Sequence, residues 1–261
     1  MMKSLFSLEG RTALVTGGSR GIGEMIAQGF LQHGAKVYIS SRKADQCQAT
    51  AERLSAYGEC IALPHDISTI EGCDALTKSY TDYEDKLDIL VNNAGAAWGE
   101  AFETFPESGW DKVMDLNVKS PFFLTQRLHD ALKAGAADGR PAKVIMIASI
   151  DGIGITPMST FSYGPSKAAI IHLTRLMAKR LITDNIIVSG IAPGAFPSNM
   201  NKVARDHGEE LAKAIPARRI GDVDDMGGTA VYLASRAGDY VVGETVVLDG
   251  GAFMTSSYNL G

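Results

Sequence analysis

"RTALVTGGSRGIG", residues Arg11 to Gly23, is the stretch that decides the fold. Its first half is a short apolar run, Ala13, Leu14 and Val15, cut off by glycines. Its second half is crowded with Gly17, Gly18, Gly21 and Gly23. The residues that follow, "GIGEMIAQGFLQHG", have helical spacing: Ile22, Ile26, Phe30 and Leu31 fall on one side, and Gly34 closes the run. A strand, a glycine-rich turn and an amphipathic helix follow one another without a break.

The same alternation runs outward along the chain. "AKVYISS" reads as a strand and "KADQCQATAERLSAYG" as a helix ending at Gly58. "ECIALPHD" is a strand, "IEGCDALTKSYTDYED" a helix and "LDILVNNAG" a buried strand. The long stretch "PESGWDKVMDLNVKSPFFLTQRLHDALKAG" is helical, with a bend expected at Pro121. "AKVIMIAS", "NIIVSGIAPG" and "ETVVLDGG" complete the strands, and "FSYGPSKAAIIHLTRLMAKRL" supplies a further helix. Strands alternating with helices imply right-handed crossovers and a parallel sheet covered on both faces. The expectation is an α/β protein: a single-domain, doubly wound Rossmann fold over residues 1–261, with about seven parallel strands and helices on both faces. No linker, internal repeat or low-complexity segment interrupts it.

The bulk composition narrows the function. The chain has 261 residues, a net charge of −5, and 45% hydrophobic residues, ordinary for a globular protein. That charge argues against a nucleic-acid partner, whose footprint is basic. Cys47, Cys60 and Cys73 show no C-x-x-C spacing, and the five histidines show no zinc-ligand pattern, so no metal is expected. The start, "MMKSLFSLEGR", lacks the apolar core of a signal peptide, and no stretch has the length of a membrane span. A cytoplasmic protein with reduced thiols and no membrane insertion is expected.

In open parallel sheets ligands bind beyond the carboxyl ends of the strands. That places "TGGSRGIG", "SSRK", "HDIS", "NNAG", "ASIDG" and "APGAFPS" along one rim. In the first of these, glycines let the backbone approach a pyrophosphate, and the helix start offers free N–H groups. The spacing is G-x-x-x-G-x-G, and by itself it is equally a plain tight turn. The second strand ends "ISSRK": Ser40 and Ser41 stand where an NAD-preferring protein carries an acid, and Arg42 and Lys43 follow. With Arg20 in the glycine loop, these cations suit a 2′-phosphate, so NADP(H) is the expected cofactor. The alternative is that Arg42 and Lys43 only solvate a helix start.

With "TGGSRGIG", "NNAG", "YGPSK" and "APG" in this order, the chain resembles the short-chain dehydrogenase/reductase family from about Leu8 to Gly251. The look is nearest to its 3-oxoacyl (β-ketoacyl) reductases of fatty-acid or rhamnolipid-type lipid biosynthesis. The resemblance implies that Asn117, Ser149, Tyr163 and Lys167 are catalytic. It implies cofactor contacts at Gly17, Gly18, Ser19, Arg20 and Ile22, at Asp66 and Ile67, at Asn93, Ala94 and Gly95, and at Pro193, Gly194 and Phe196. Ser41 and Arg42 join them from the strand-end reading, and Tyr163 and Lys167 are expected to touch the cofactor as well.

A tyrosine, with a pKa of about 10, is a usable acid only if that value falls. A lysine ammonium within roughly 4–6 Å favours the phenolate. Tyr163 and Lys167 are one helical turn apart, which permits the approach. Pro165 between them is harmless if the helix begins near Phe161 or Ser162. Taken alone, such a pair is usually two ordinary neighbours. Ser149 is expected to orient the carbonyl, and Asn117 to hold a water that links Lys167 to solvent.

The pocket is expected to involve Trp98, Ile155, Met158 and Phe161, with a substrate loop at about residues 194–216. These side chains suit an acyl chain and could equally be core. The family's carrier-protein reductases commonly read P-G-F-I-x-T-D-M where this chain has "PGAFPSNM". Asp130 also lies on a helix that often carries basic docking residues in those reductases. Both departures leave open whether the acyl group comes on CoA or on an acyl carrier protein. The resemblance further implies a homotetramer, joined through residues 106–135 and 161–181 and through the last strand. Alternatives are a reductase of a sugar, polyol or polyketide-like ketone, and a non-catalytic NADP-binding regulatory protein.

Overall fold

The computed structural model describes residues 5–136, 139–155, 159–198 and 202–255. Seven strands form one sheet in the order β3-β2-β1-β4-β5-β6-β7. They are β1 (Thr12–Thr16), β2 (Lys36–Ser40), β3 (Cys60–Ala62), β4 (Ile89–Asn92), β5 (Ala142–Ile147), β6 (Ile186–Pro193) and β7 (Thr245–Leu248), and every pairing is parallel. The order reverses direction between β1 and β4, which opens a crevice there.

Alternation along the strands builds the two faces. Ala13, Val15, Ile39, Val91 and Ile145 point to one side. There they meet Ile26 and Phe30 of α1 (Gly21–Gln32), Cys47 and Leu54 of α2 (Ala44–Leu54), and a further helix described below. Leu14, Tyr38, Leu90, Val144 and Met146 point to the other side. They meet Leu76 and Tyr80 of α3 (Ile70–Thr81). Beyond them lie three more helices, which bury Leu124, Leu132 and Ile170. Full burial of each such side chain stabilises by about 1.5–3 kcal/mol, so the parallel sheet is held by apolar layers on both faces.

Two helical stretches depart from expectation, and a third meets it. α2 stops at Leu54, short of Gly58, and the Ser55 hydroxyl donates to the Ala51 carbonyl at 2.8 Å just past its end. The long stretch after β4 is not one helix. It runs as α4 (Glu107–Met114), a π-helical turn (Asp115–Lys119), α5 (Ser120–Arg127) and α6 (His129–Gly135). The cause is local: Pro121 has no N–H for the Asn117 carbonyl, and the Ser120 N–H bonds back to Asp115, five residues away. The long helix α7 (Tyr163–Leu181) begins at Tyr163, so Pro165 does lie in its first turn.

Between β6 and β7 the chain forms α8 (Lys202–Asp206), α9 (Gly208–Ala214) and α10 (Val223–Ala234), none of which the alternation of apolar runs revealed. α10 had a legible signal: Asp222 and Asp225 form a capping box at its start. Met226 and Ala230 of α10 complete the first face of the core. A last turn, α11 (Ala252–Thr255), follows β7.

α1 and α10 touch backbone to backbone. A Cβ on Gly29 would stand 2.7 Å from the Gly227 Cα. Alanine at position 29 would gain about 1 kcal/mol of helix propensity, but a main-chain atom cannot yield as a side chain can. Gly29→Ala is therefore expected to destabilise the fold by about 1–3 kcal/mol through overpacking. Urea denaturation of the variant beside the parent measures this directly.

Candidate active site

The rim at the carboxyl ends of the strands is assembled around the sheet's reversal. Thr16, the last residue of β1, donates its hydroxyl to the Val91 carbonyl at 3.1 Å. The same oxygen accepts from the backbone N–H groups of Asn93 and Ala94, both at 3.0 Å. Asn93 answers by donating its amide to the Thr16 and Gly17 carbonyls at 2.8 and 3.2 Å. Gly17 takes φ +64, and a Cβ there would lie 2.8 Å from Asn93 Nδ2. The glycine loop and "NNAG" are thus one interlocked unit. The motifs single out Asn93 and Ala94, whereas Thr16 stands in "TGGSRGIG" with no role assigned to it. Its signal was a hydroxyl residue at the end of the first strand.

The residues fit a dinucleotide phosphate. α1 starts after Arg20 with no side chain capping its first N–H groups, which leaves them for an anion. Gly18 donates its N–H to the Ser40 carbonyl at 3.1 Å, tying the loop to the end of β2. The Ser40 hydroxyl is buried there without a hydrogen-bond partner among the described residues. Arg20 and Arg42 are both exposed on this rim. Arg42 stands 3.9 Å from the Asp66 carboxylate, a loose surface pair that a phosphate could displace. Ser19 is buried with its carbonyl accepting from Thr50 at 3.0 Å, and Ile67 is buried below Asp66. Ile22 and Ser41 are half-buried beside the loop and the end of β2.

Across the crevice, four side chains converge. Asn117 sits in the π-helical turn at 2% exposure. Its Oδ1 accepts from the Ala96 N–H at 2.8 Å, and its Nδ2 donates to the Ala96 carbonyl at 3.0 Å and to Ser166 Oγ at 2.9 Å. Ser166 in turn donates to the Tyr163 carbonyl at 2.7 Å, so Asn117 pins the first turn of α7. Gly95 lies between: a Cβ there would stand 3.2 Å from Asn117 Oδ1 and 3.7 Å from Lys167 Nζ. Lys167, at 5% exposure, donates to the Ile147 carbonyl at 2.8 Å. Its ammonium lies 5.6 Å from the centroid of the Tyr163 ring. Ser149, at 8% exposure, follows β5 and caps a 3-10 turn (Ile150–Gly152), its Oγ accepting from the Asp151 N–H at 3.2 Å.

The electrostatics run against one expectation. Burial pushes the Tyr163 hydroxyl up to about 12, with the Ser149 hydrogen bond opposing and the Asp151 charge reinforcing the rise. Burial pulls Lys167 down to about 8. The lysine does not offset this rise, because it gives up its own proton near 8, and no ammonium is left to favour the phenolate by the time the tyrosine titrates. Tyr163 therefore keeps its proton throughout the neutral range, and Lys167 loses its charge first as pH rises.

Pro193 ends β6, and Gly194 packs on Asp249 of the loop after β7. Phe196 is 3% exposed and its ring is packed beneath Gly221, so its side chain faces the core. Among the candidate pocket residues, Trp98 lies under Gly109 and Lys112, while Ile155 and Phe161 are exposed. Met158, and Asn199 and Met200 of "PGAFPSNM", lie outside the described residues.

Fold and rim together define a dinucleotide-binding α/β protein with a tyrosine–lysine pair beside a buried serine and asparagine. Residues 17–252 match the family model described as enoyl-(acyl carrier protein) reductase. A 3-oxoacyl-(acyl-carrier-protein) reductase of rhamnolipid biosynthesis from Pseudomonas aeruginosa is 47% identical over 96% of this chain and 99% of its own. A 2-dehydro-3-deoxy-D-gluconate 5-dehydrogenase from Dickeya dadantii is 38% identical over 96% and 98%. The solved Pseudomonas aeruginosa RhlG/NADP active-site complex superposes with a TM-score of 0.92 at 47% identity, over 96% and 99%. The chain belongs to the short-chain dehydrogenase/reductase family.

Thr16→Val keeps the shape of the side chain but strands the half-buried Asn93 and Ala94 N–H groups. A loss of about 2 kcal/mol is expected, from roughly 1 kcal/mol for each unsatisfied group, the low end of the buried range because both are half-buried. Chemical denaturation of the variant, with its affinity for NADPH followed by nucleotide fluorescence, should show both stability and binding fall together.

Proposed function

We propose that this chain is an NADPH-dependent reductase that converts 3-oxoacyl thioesters to 3-hydroxyacyl thioesters. The observation that carries the reading is the convergence of Asn117, Ser149, Tyr163 and Lys167 beside the glycine loop, on one scaffold locked by Thr16 and Asn93. The thioester assignment is supported by the 47% identical 3-oxoacyl reductase. The 38% identical gluconate dehydrogenase favours a second reading, a sugar or polyol ketone. A panel of acetoacetyl-CoA, longer 3-oxoacyl thioesters and free ketoses separates the two.

Gly17, Gly18, Ser19, Arg20 and the start of α1 would hold the pyrophosphate, and Ser41 and Arg42 the 2′-phosphate. Asp66 and Ile67 would flank the adenine, Asn93, Ala94 and Gly95 the ribose, and Pro193 and Gly194, with the Phe196 backbone, the nicotinamide. When bound, NADPH supplies the hydride. Ser149 donates to the substrate carbonyl and aims it. Tyr163 gives up its hydroxyl proton to the carbonyl oxygen as the negative charge develops there. Lys167, protonated at neutral pH, stabilises the phenolate left behind and holds the ribose. The Asn117 carbonyl, which Pro121 cannot bond, is the acceptor we assign to the water that returns a proton from solvent.

The segment 194–216, with α8 and α9, would close over the acyl group. Whether CoA or an acyl carrier protein delivers that group is the finer point, and Asp130, exposed on α6, disfavours an acidic carrier. A homotetramer fits the surface: Trp110, Phe122, Leu176 and Ile182 are exposed on or beside α4, α5 and α7, and Val242 and Val247 lie at β7. The cytoplasm is the location this reading assigns. Among the described residues, no helix is long and apolar enough to cross a membrane.

Tyr163→Phe removes the proton donor and keeps the ring. The expected result is a fall in kcat of at least about a thousandfold with NADPH affinity nearly intact, and near-parental turnover would sink the mechanism. A second expectation concerns pH. Lys167 is depressed to about 8 and Tyr163 raised to about 12. Below pH 8 both groups are protonated and reduction proceeds. Above it the ammonium is lost, so reductive kcat/KM should fall about tenfold per pH unit, long before the tyrosine titrates. A flat profile between pH 7 and 10 would contradict this.

A further inference from the structure

Ser166, from the "SYGPSK" stretch, takes no part in the chemistry above, yet it lies between two residues that do. It is buried at 0% exposure in the first turn of α7. Its one hydroxyl proton goes to the Tyr163 carbonyl at 2.7 Å, and its oxygen accepts from Asn117 Nδ2 at 2.9 Å. The second amide proton of Asn117 goes to the Ala96 carbonyl at 3.0 Å, and Oδ1 accepts from the Ala96 N–H at 2.8 Å. Both donors of the Asn117 amide are therefore committed, one to Ala96 and one to Ser166. The structure joins the Asn117 side chain to Tyr163 through this serine.

The start of α7 is poorly held by its own sequence. Ser162 is of a residue type well suited to cap a helix, but it takes helical angles (φ −88, ψ −26) and its side chain caps nothing. Its hydroxyl is buried without a hydrogen-bond partner among the described residues. Gly164 and Pro165 follow Tyr163; the first loosens the backbone and the second has no N–H. The Tyr163 N–H bonds to the Thr160 carbonyl at 3.0 Å, within the same local segment. Against the neighbouring 3-10 turn the contacts are steric. A Cβ on Gly152 would lie 2.5 Å from the Lys167 carbonyl carbon, and one on Gly164 would lie 3.1 Å from the Asp151 carbonyl oxygen. Among the described residues no main-chain hydrogen bond joins that turn to the first turn of α7. The Ser166 bridge ties the Tyr163 main chain to a residue 49 positions away from the serine in sequence.

We propose that Ser166 is a positioning residue for the reduction: its hydroxyl carries the placement of Asn117 to the Tyr163 main chain, and so sets where the Tyr163 hydroxyl stands against the reacting carbonyl. The proposal rests on reading the site as a ketone reductase. The bridge runs from N–H to O–H to C=O, a chain in which each bond polarises the next. Its far end is fixed, because Asn117 sits in the π-helical turn and is locked to Ala96 by two bonds. Alanine at position 166 leaves the Asn117 amide short of an acceptor and the Tyr163 carbonyl short of a donor, and the first turn of α7 is free to shift. A displacement of about 1 Å in a reacting group costs on the order of a hundredfold in rate. Ser166 touches neither substrate nor cofactor in this role, so the effect falls on kcat rather than on NADPH binding.

The test is a double-substitution cycle on kcat, with acetoacetyl-CoA, a longer 3-oxoacyl thioester and L-sorbose as substrates. Turnover is counted per NADPH-binding site, so unfolded protein does not enter. Ser166→Ala is expected to lower kcat about tenfold or more, with KM for NADPH nearly unchanged. In an Asn117→Ala background the same substitution should cost less than about twofold, because the bridge is already broken. Ser166→Thr, whose hydroxyl can bond the carbonyl three residues back in a helix, should keep most of the parental kcat. Should Ser166→Ala fail to fold, Ser166→Cys, a weak donor, takes its place with the same expectation. A parental kcat in the alanine variant overturns the proposal. So does an equal cost in both backgrounds, or a threonine variant as slow as the alanine one. If the parent reduces L-sorbose but no thioester, the thioester reading fails and the cycle is read on the sugar. A parent that reduces none of the three overturns the reductase reading, and the positioning role falls with it.

Discussion

The Thr16 hydroxyl is the hinge on which this structure turns. It closes three hydrogen bonds across the point where the sheet reverses direction, and Asn93 returns two more. The reversal pulls the loops after β1 and β4 apart, and these bonds set how far. Without them the glycine loop would be a turn like any other. With them, the uncapped start of α1 is held at a fixed distance from "NNAG", and through Gly95 from Asn117 and Lys167.

The two ends of the sheet handle buried charge in opposite ways. At the amino ends of the strands, Arg11 meets Asp88 at 3.3 Å and Lys143 meets Asp239 at 2.7 Å, so each buried cation has a carboxylate to offset its desolvation. At the carboxyl ends, Lys167 is just as deep but donates to the neutral Ile147 carbonyl, and it forms no ion pair among the described residues although the Asp151 charge reaches it. Stability is served by pairing charges and chemistry by leaving them poised. That contrast marks the functional end of the molecule without reference to any motif.

How much could be read beforehand follows from the physics of each element. β1, β4, β5 and β6 are buried on both faces, so their side chains are apolar almost throughout, and they stood out. α10 was overlooked because its start is written in capping chemistry, Asp222 and Asp225, and its close packing on α1 depends on Gly29 and Gly227, which carry no hydrophobic signal. Pro121 announced an irregularity in the long helix, but not that it would take the form of a π turn placing Asn117 against Ala96. Thr16 was invisible because one threonine at a strand end has many uses.

By itself the sequence determined the βα alternation, the glycine loop, the acid-free end of β2 and the one-turn spacing of Tyr163 and Lys167, because each depends on neighbours a few residues apart. Only the tertiary structure decided that Lys167 would bond to Ile147 while lying over the Tyr163 ring, that Phe196 would turn inward, and that Asp151 would come within electrostatic reach of both reactive side chains. Those outcomes depend on desolvation and on charges brought together from distant segments. Neither has a value until the chain has closed around them.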